Sequence, residues 1–215
     1  MGRAMVCLTH SLDTRWYEHQ PAPVGCCQVG QGRYLLRARP NGAPNSVTIL
    51  KTKRLALREF RRDDLEFLLP VLGDPYSMRF YPHPFSPAEC ETWIDRQLHR
   101  YESEGFGLWA IDMQDTGAFV GDCGPTVQMV DGIKEIELGW HVLRAYQNRG
   151  IATEAALACR DYAFGELGLK RLIALVRPEN VPSCRVAEKI DMHVEKETHH
   201  GSEGTVHRVY VTARQ

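Results

Sequence analysis

Residues Gln147 to Thr153 have the types and spacing of an anion-binding turn. Gly150 and Ala152 are small and separated by one residue, which leaves room for a phosphate group to approach the backbone. The turn falls between a strand expected to end at Val142 and a helix expected to start at Ile151. A helix start offers N–H groups that lack intrahelical partners, together with a partial positive charge. Such a site holds an anion without a buried lysine. Arg149 is placed to add charge at the rim, and Thr153 to add a hydroxyl. No G-K-[ST] follows, so this is not a Walker loop, and G-x-G-x-x-G is absent, so it is not a dinucleotide fingerprint. Taken alone, Gln-x-x-Gly-x-Ala also fits a plain strand-to-helix connection.

Other chemistry-bearing residues read more blandly. Glu135 and Glu137 alternate along one strand, so they share a face, and a solvated face explains them as well as a site does. Cys123, between Gly121 and Gly124, has no evident partner and reads as a strand residue. His199-His200, followed by Gly201 and Gly204, reads as a solvated hairpin loop. Trp93 and Trp109 read as core. The seven cysteines are odd in number, irregularly spaced and without a C-x-x-C pair, so neither a disulfide framework nor a zinc site is expected. Cys159 and Cys184 fall inside expected helices, as small apolar residues.

The elements that must hold these residues follow from periodicity. Val47–Leu50 and Leu55–Arg58 read as strands. Arg61–Leu72 reads as a helix stopped by Gly73-Asp74-Pro75, and a second helix opens at Ser86-Pro87 and closes at Gly105. Strands are expected over 107–113, within 118–129 and over 135–142, with turns at Asp115-Thr116-Gly117 and Asp131-Gly132. A helix over 151–167, a strand over 171–176, a short helix over 181–189 and two closing strands near 192–197 and 207–212 complete the chain. This order gives an α/β domain on a mixed sheet with helices on both faces.

Composition narrows the class. The 215 residues suffice for one domain with a sizeable core, and a formal net charge of −1 gives no global attraction to nucleic acid or an anionic membrane. No apolar run is long enough to span a bilayer and no secretory signal is present, so a cytoplasmic protein is expected. Residues 1–46 differ from the rest. They carry five Arg, no Lys and two acids, a balance of +3, with four prolines and no sustained period. A disordered or loosely attached extension is expected there, ahead of a domain over 47–215.

Three segments in order give the turn its context. The stretch from Ile49 to Arg58 resembles the first strand of the RimJ/RimL-like branch of the GCN5-related N-acetyltransferase (GNAT) superfamily. Glu137-Leu138-Gly139-Trp140 followed by Gln147 to Ala155 resembles that family's fourth strand and acyl-CoA motif. The run from Pro178 to Lys189 resembles the segment after its fifth strand. The resemblance covers residues 47–213, and none of 1–46.

It implies a GNAT-like, largely antiparallel mixed sheet flanked by helices, acetyl-CoA as donor and an amine as acceptor. No metal is implied, and homodimers are common in the family. The acceptor is a protein N-terminus or a small-molecule amine. The resemblance also implies that the fourth and fifth strands splay and that the pantetheine arm enters between them, pairing with backbone near His141, Val142 and Leu143. The pyrophosphate then sits on Gln147, Asn148, Arg149, Gly150, Ile151, Ala152 and Thr153, and Asn180 bonds the arm.

Glu137 is the first candidate for the base that keeps the amine neutral, and Glu135 the second. A tyrosine seven residues after the Asn serves many relatives as proton donor to the thiolate, but Ala187 stands there, so Ser183 is the candidate in its place. Tyr81 to Phe85 is expected to line the acceptor pocket. The missing tyrosine also keeps open a non-catalytic acyl-CoA-binding or regulatory module, and a transferase for longer acyl groups is a third reading.

Overall fold

The structure, a computed structural model, describes residues 47–214. The expected extension over 1–46 lies outside the described residues. Within them run β1 (Thr48–Lys51), β2 (Leu55–Arg58), α1 (Leu65–Leu72), α2 (Pro87–Glu104), β3 (Trp109–Met113), β4 (Phe119–Val130), β5 (Ile133–Val142), α3 (Ile151–Gly165), β6 (Arg171–Val176), α4 (Val181–Lys189), β7 (His193–His200) and β8 (Thr205–Ala213). The strands form one sheet in the order β1-β2-β3-β4-β5-β6-β8-β7. Every neighbouring pair is antiparallel except β5 and β6, which run parallel. The mixed, largely antiparallel sheet read from the sequence is what forms.

Strand alternation places a core on each face. Trp109 and Ile111 pack with Leu57, Leu138 and the Ala155, Ala156 and Cys159 side chains of α3. Ala110, between them, points the other way, into a cluster with Phe119, Leu68 and Leu72 of α1 and Ile94 of α2. Helices therefore cover both faces, and full burial of each large apolar side chain contributes about 1.5–3 kcal/mol. Cys123, Cys159 and Cys184 are buried free thiols. Burial, with Cys159 beside it, pushes the Cys123 thiol well above its ordinary value, so it is inert as a nucleophile.

Turn chemistry sets the register. Asp131 and Gly132 both take positive φ, 50° and 79°, as a two-residue hairpin turn requires. That turn aligns Glu135 opposite Gln128 and His141 opposite Asp122. Ser86 starts α2 with a reciprocal cap: Glu89 N–H donates to its hydroxyl, and its own N–H donates to the Glu89 carboxylate.

Three expectations shift. The helix expected over 61–72 divides into a 3-10 turn, Arg62–Asp64, and α1. The cause is Asp64, whose carboxylate accepts from the Arg61 N–H at 2.9 Å and from the Arg58 guanidinium at 2.8 and 3.0 Å. His199 and His200 are not in the hairpin loop but in β7, paired with Val206 and Thr205, and His200 stacks edge-on against His207. Trp93 is only partly buried, and its ring meets that of His141 edge-on with centroids 5.7 Å apart.

Candidate active site

The single parallel pairing in the sheet fails almost as soon as it starts. Glu137 and Ile173 are its one register pair, and beyond them β5 and β6 part. The Glu137 carboxylate reaches across the gap and accepts the Leu175 N–H at 3.4 Å. Apart from that bond, the edges facing the gap are strand backbone with no ladder partner among the described residues, ready to accept an extended chain.

The expected contacts on β5 divide unequally around that gap. Leu143 N–H already donates to Val120 O at 2.8 Å. Backbone groups alternate along a strand, so His141 likewise turns its peptide groups toward β4 and Val142 turns its own toward the gap. The Val142 carbonyl accepts from Gln147 Nε2 at 3.0 Å, which leaves its N–H. Of the three residues expected to meet an acyl-CoA arm, Val142 turns its backbone toward the gap, and His141 lines the cleft beside it.

Gln147 therefore acts inside the turn: its side chain ties the turn back to the strand. Asn148 and Gly150 both adopt left-handed backbone, at φ 60° and 77°, and Gly150 is the residue from which α3 starts. The turn is held from outside as well. Arg54 donates to the Arg149 carbonyl at 3.1 Å and to Glu154 at 2.6 Å, and Glu154 also accepts from Thr52 and from the Arg54 N–H. Arg149 itself is exposed, with its guanidinium 5.2 Å from the centroid of the Tyr146 ring. Ile151 is buried in the core, anchors the helix start and contributes to the wall of the cleft there.

A cleft of about 360 Å³ opens at this helix start. That volume is within the range of small-molecule sites. Gly150, Ala152 and Thr153 line it from α3, Asn180 and Ser183 from the start of α4, and Tyr81 from the loop ahead of α2. Asn180 caps α4, its Oδ1 accepting the Ser183 N–H at 3.3 Å, so the amide NH2 is its remaining donor group. Ala187 is fully buried and offers no hydroxyl.

The two glutamates differ in environment. Arg171 holds Glu135 with two hydrogen bonds of 3.2 Å, a second pair of bonds tying the same guanidinium to Glu195. Burial raises the Glu137 carboxyl above the usual range, against the Leu175 N–H, Gln128 and Arg100, which favour its charge. Neither carboxylate lines the cleft. Both lie on the α2 face of β5, where His141 meets Trp93.

Sequence reasoning missed a chain of three side chains on that face. Asp122 Oδ1 is 2.7 Å from His141 Nδ1, and His141 Nε2 is 2.7 Å from the Tyr81 hydroxyl. Asp122 is fully buried. Burial opposes a charge on His141, but Tyr81 and Asp122 outweigh it and raise the imidazole to about 10. The signal available was Asp122, the one charged residue of its strand, between Gly121 and Gly124, two of the glycines through which the sheet backbones come close. Among the described residues no group of three or more His, Cys, Asp or Glu is placed to hold a metal, and no helix is long and apolar enough to cross a membrane.

Comparison with known proteins agrees with this geometry. Two Bacillus subtilis relatives are YkkB, an uncharacterized protein 35% identical over 71% of this chain and 89% of its own, and the uncharacterized N-acetyltransferase YnaD, 31% identical over 68% and 83%. An acetyltransferase structure from Agrobacterium tumefaciens superposes with a TM-score of 0.68 at 29% identity, covering 82% of this chain and 99% of that one. The ribosomal α-N-protein acetyltransferase RimL in complex with coenzyme A shares the fold, with a TM-score of 0.64 at 15% identity over 78% of this chain and 98% of its own. The family profile of the acetyltransferase (GNAT) domain matches residues 54–193, and with the splayed β5–β6 edge and the turn ahead of α3 the chain belongs to that family of acyltransferases.

Proposed function

We propose that this N-acetyltransferase moves the acetyl group of acetyl-CoA to a primary amine by direct attack on the thioester. The observation that carries the reading is the gap between β5 and β6 next to an unobstructed helix start. Pantetheine fits the gap as an added strand, with the Val142 N–H as a donor to it, and the pyrophosphate fits the turn at Asn148 to Thr153. Asn180 offers its amide to the arm. The RimL complex with coenzyme A, which shares the fold, supports this assignment.

The acceptor amine approaches from the α2 face. Glu137 is the base, acting through a water because its carboxylate stands outside the cleft, and its raised carboxyl is better matched to an amine proton than an ordinary one. Glu135 serves to hold Arg171 and the neighbouring strand rather than to take a proton. The acceptor is a protein N-terminus or a small amine, and the RimJ/RimL-like branch is the part of the family we assign. Buried thiols kept free fit a reducing cytoplasm.

The test is a panel of N-terminal peptides, polyamines and other small amines, assayed with acetyl-CoA by release of free thiol. Release with at least one amine, together with a melting temperature raised by acetyl-CoA, is the expected result. A protein that acetyl-CoA fails to stabilise, and that releases no thiol with any amine, refutes the proposal.

A further inference from the structure

A thiolate leaving into a cleft benefits from a proton; Ala187 stands where many relatives carry a tyrosine, and Ser183, the candidate in its place, shares the cleft with a phenol, a stronger acid than an alcohol. We propose that Tyr81, backed by His141 and Asp122, is the proton donor to the departing CoA thiolate. This rests on the acyl-CoA reading of the cleft. Tyr81 and His141 line the same cleft as Ala152, Asn180 and Ser183. The three relay groups come from separate elements: the loop ahead of α2, the end of β5 and the first half of β4.

The geometry sets the direction of transfer. Asp122 is fully buried, so its charge calls for a cationic partner, and its Oδ2 has no hydrogen-bond partner among the described residues. The imidazole is its partner, which favours the doubly protonated ring. Asp122 and Tyr81 face His141, Glu137 lies on the same side of β5, and the uncharged Trp93 comes from α2. The imidazolium donates Nδ1–H to Asp122 and Nε2–H to the Tyr81 oxygen. Tyr81 then accepts, and its own O–H proton is the one free to enter the cleft. A phenol, at about 10, stands close to a thiol, at about 8.5, so the proton passes between them without a large barrier.

Atoms and charges balance. The amine nitrogen bonds to the thioester carbon, and its surplus proton goes through a water to Glu137. The C–S bond breaks with its electron pair on sulfur. Sulfur takes the Tyr81 proton, and the Tyr81 oxygen takes Nε2–H from His141. Neutral His141 remains beside Asp122 until water returns a proton, while Glu137 loses its own to water. The products are the amide and CoA thiol. In these roles Tyr81 is a catalytic residue and His141 and Asp122 are positioning residues that act through it.

The test begins with the product, so it needs no acceptor. Free CoA is bound to the wild-type protein and to Tyr81→Phe, His141→Gln and Asp122→Asn, and its thiol is titrated by thiolate absorbance. The relay predicts that the wild-type site lowers the thiol pKa by about one unit, the usual size of such a hydrogen-bond and charge effect, and that Tyr81→Phe and His141→Gln abolish the shift. With an amine found in the panel, Tyr81→Phe lowers kcat by about 10²-fold, as loss of an acid does, while KM for acetyl-CoA changes less than threefold. His141→Gln keeps the loop contact but not the proton, so it removes the alkaline limb of the wild-type pH profile. A loop-anchoring role alone would move melting temperature and none of these. CoA bound to all four proteins with one common thiol pKa overturns the relay and leaves the acyl-CoA reading standing. CoA that does not bind the wild-type protein overturns both.

Discussion

Replacing Ala152 with leucine separates the anion site from the fold. Ala152 stands at the second position of α3, half-buried, on the wall of the cleft. Leucine is nearly as good a helix former as alanine, so the helix itself loses little. A substitution at a position outside the core changes stability by about 0.5 kcal/mol, which for a domain of this size is about 1–2 °C. The added isobutyl branch, however, occupies space that a diphosphate needs to reach the backbone N–H groups. Loss of two hydrogen bonds to a charged group, at about 1.5–3 kcal/mol each, amounts to roughly 3–6 kcal/mol. At about 1.4 kcal/mol per tenfold, the Kd for acetyl-CoA rises by about 10²- to 10⁴-fold. Isothermal titration calorimetry measures the affinity and circular dichroism the melting temperature. Ala152→Leu protein that melts like wild type and binds acetyl-CoA within threefold of it would refute the placement of the pyrophosphate.

Three further outcomes follow from the same geometry. Asp64→Ala leaves Arg58, only 5% exposed, with Asp112 as its remaining carboxylate partner among those described, and should destabilise the protein by about 3–5 kcal/mol in chemical denaturation. Burial opposes the charge on Glu154, but Thr52 and Arg54 outweigh it and hold the carboxyl below its usual range. A depressed carboxyl stabilises the fold above its unfolded value of about 4.3 and ceases to as pH falls through the folded one. The difference in melting temperature between wild type and Glu154→Gln should therefore be present at neutral pH and close in acid; a gap that widens in acid contradicts the sign. Because the Glu137 carboxyl is raised, the acid limb of kcat/KM should lie above about 4.3, and Glu137→Gln should remove that limb and lower kcat by about 10²- to 10⁴-fold.

Local order was legible from the chain, and pairing across it was not. The strand, turn and helix around Gln147 to Ala152 declare themselves through alternation, a glycine and an alanine-rich helix face, all within thirty or so residues. The occupancy of particular groups does not. Leu143 has its N–H spent on Val120, and Glu135 has its oxygens on Arg171, through a register that no single segment encodes. The Tyr81–His141 contact spans 60 residues and the His141–Asp122 contact 19, so neither leaves a spacing to read. Asp64 shows the same limit on a shorter scale: an acid that looked like part of a helical period breaks the helix because Arg58 needs it. Periodicity reports which face a residue takes, and only the assembled sheet reports what it meets there.

The clasp of Thr52 and Arg54 on Glu154 joins chain positions 100 or so residues apart. The turn it steadies is thus completed by the first strands of the domain and not by its own neighbourhood. A truncated chain beginning after Arg54 would carry every residue of the turn and still lack the support that shapes it. Ligand binding at that turn is accordingly a report on closure of the whole domain, and acetyl-CoA added during refolding should act late, on a chain already folded, rather than as a seed.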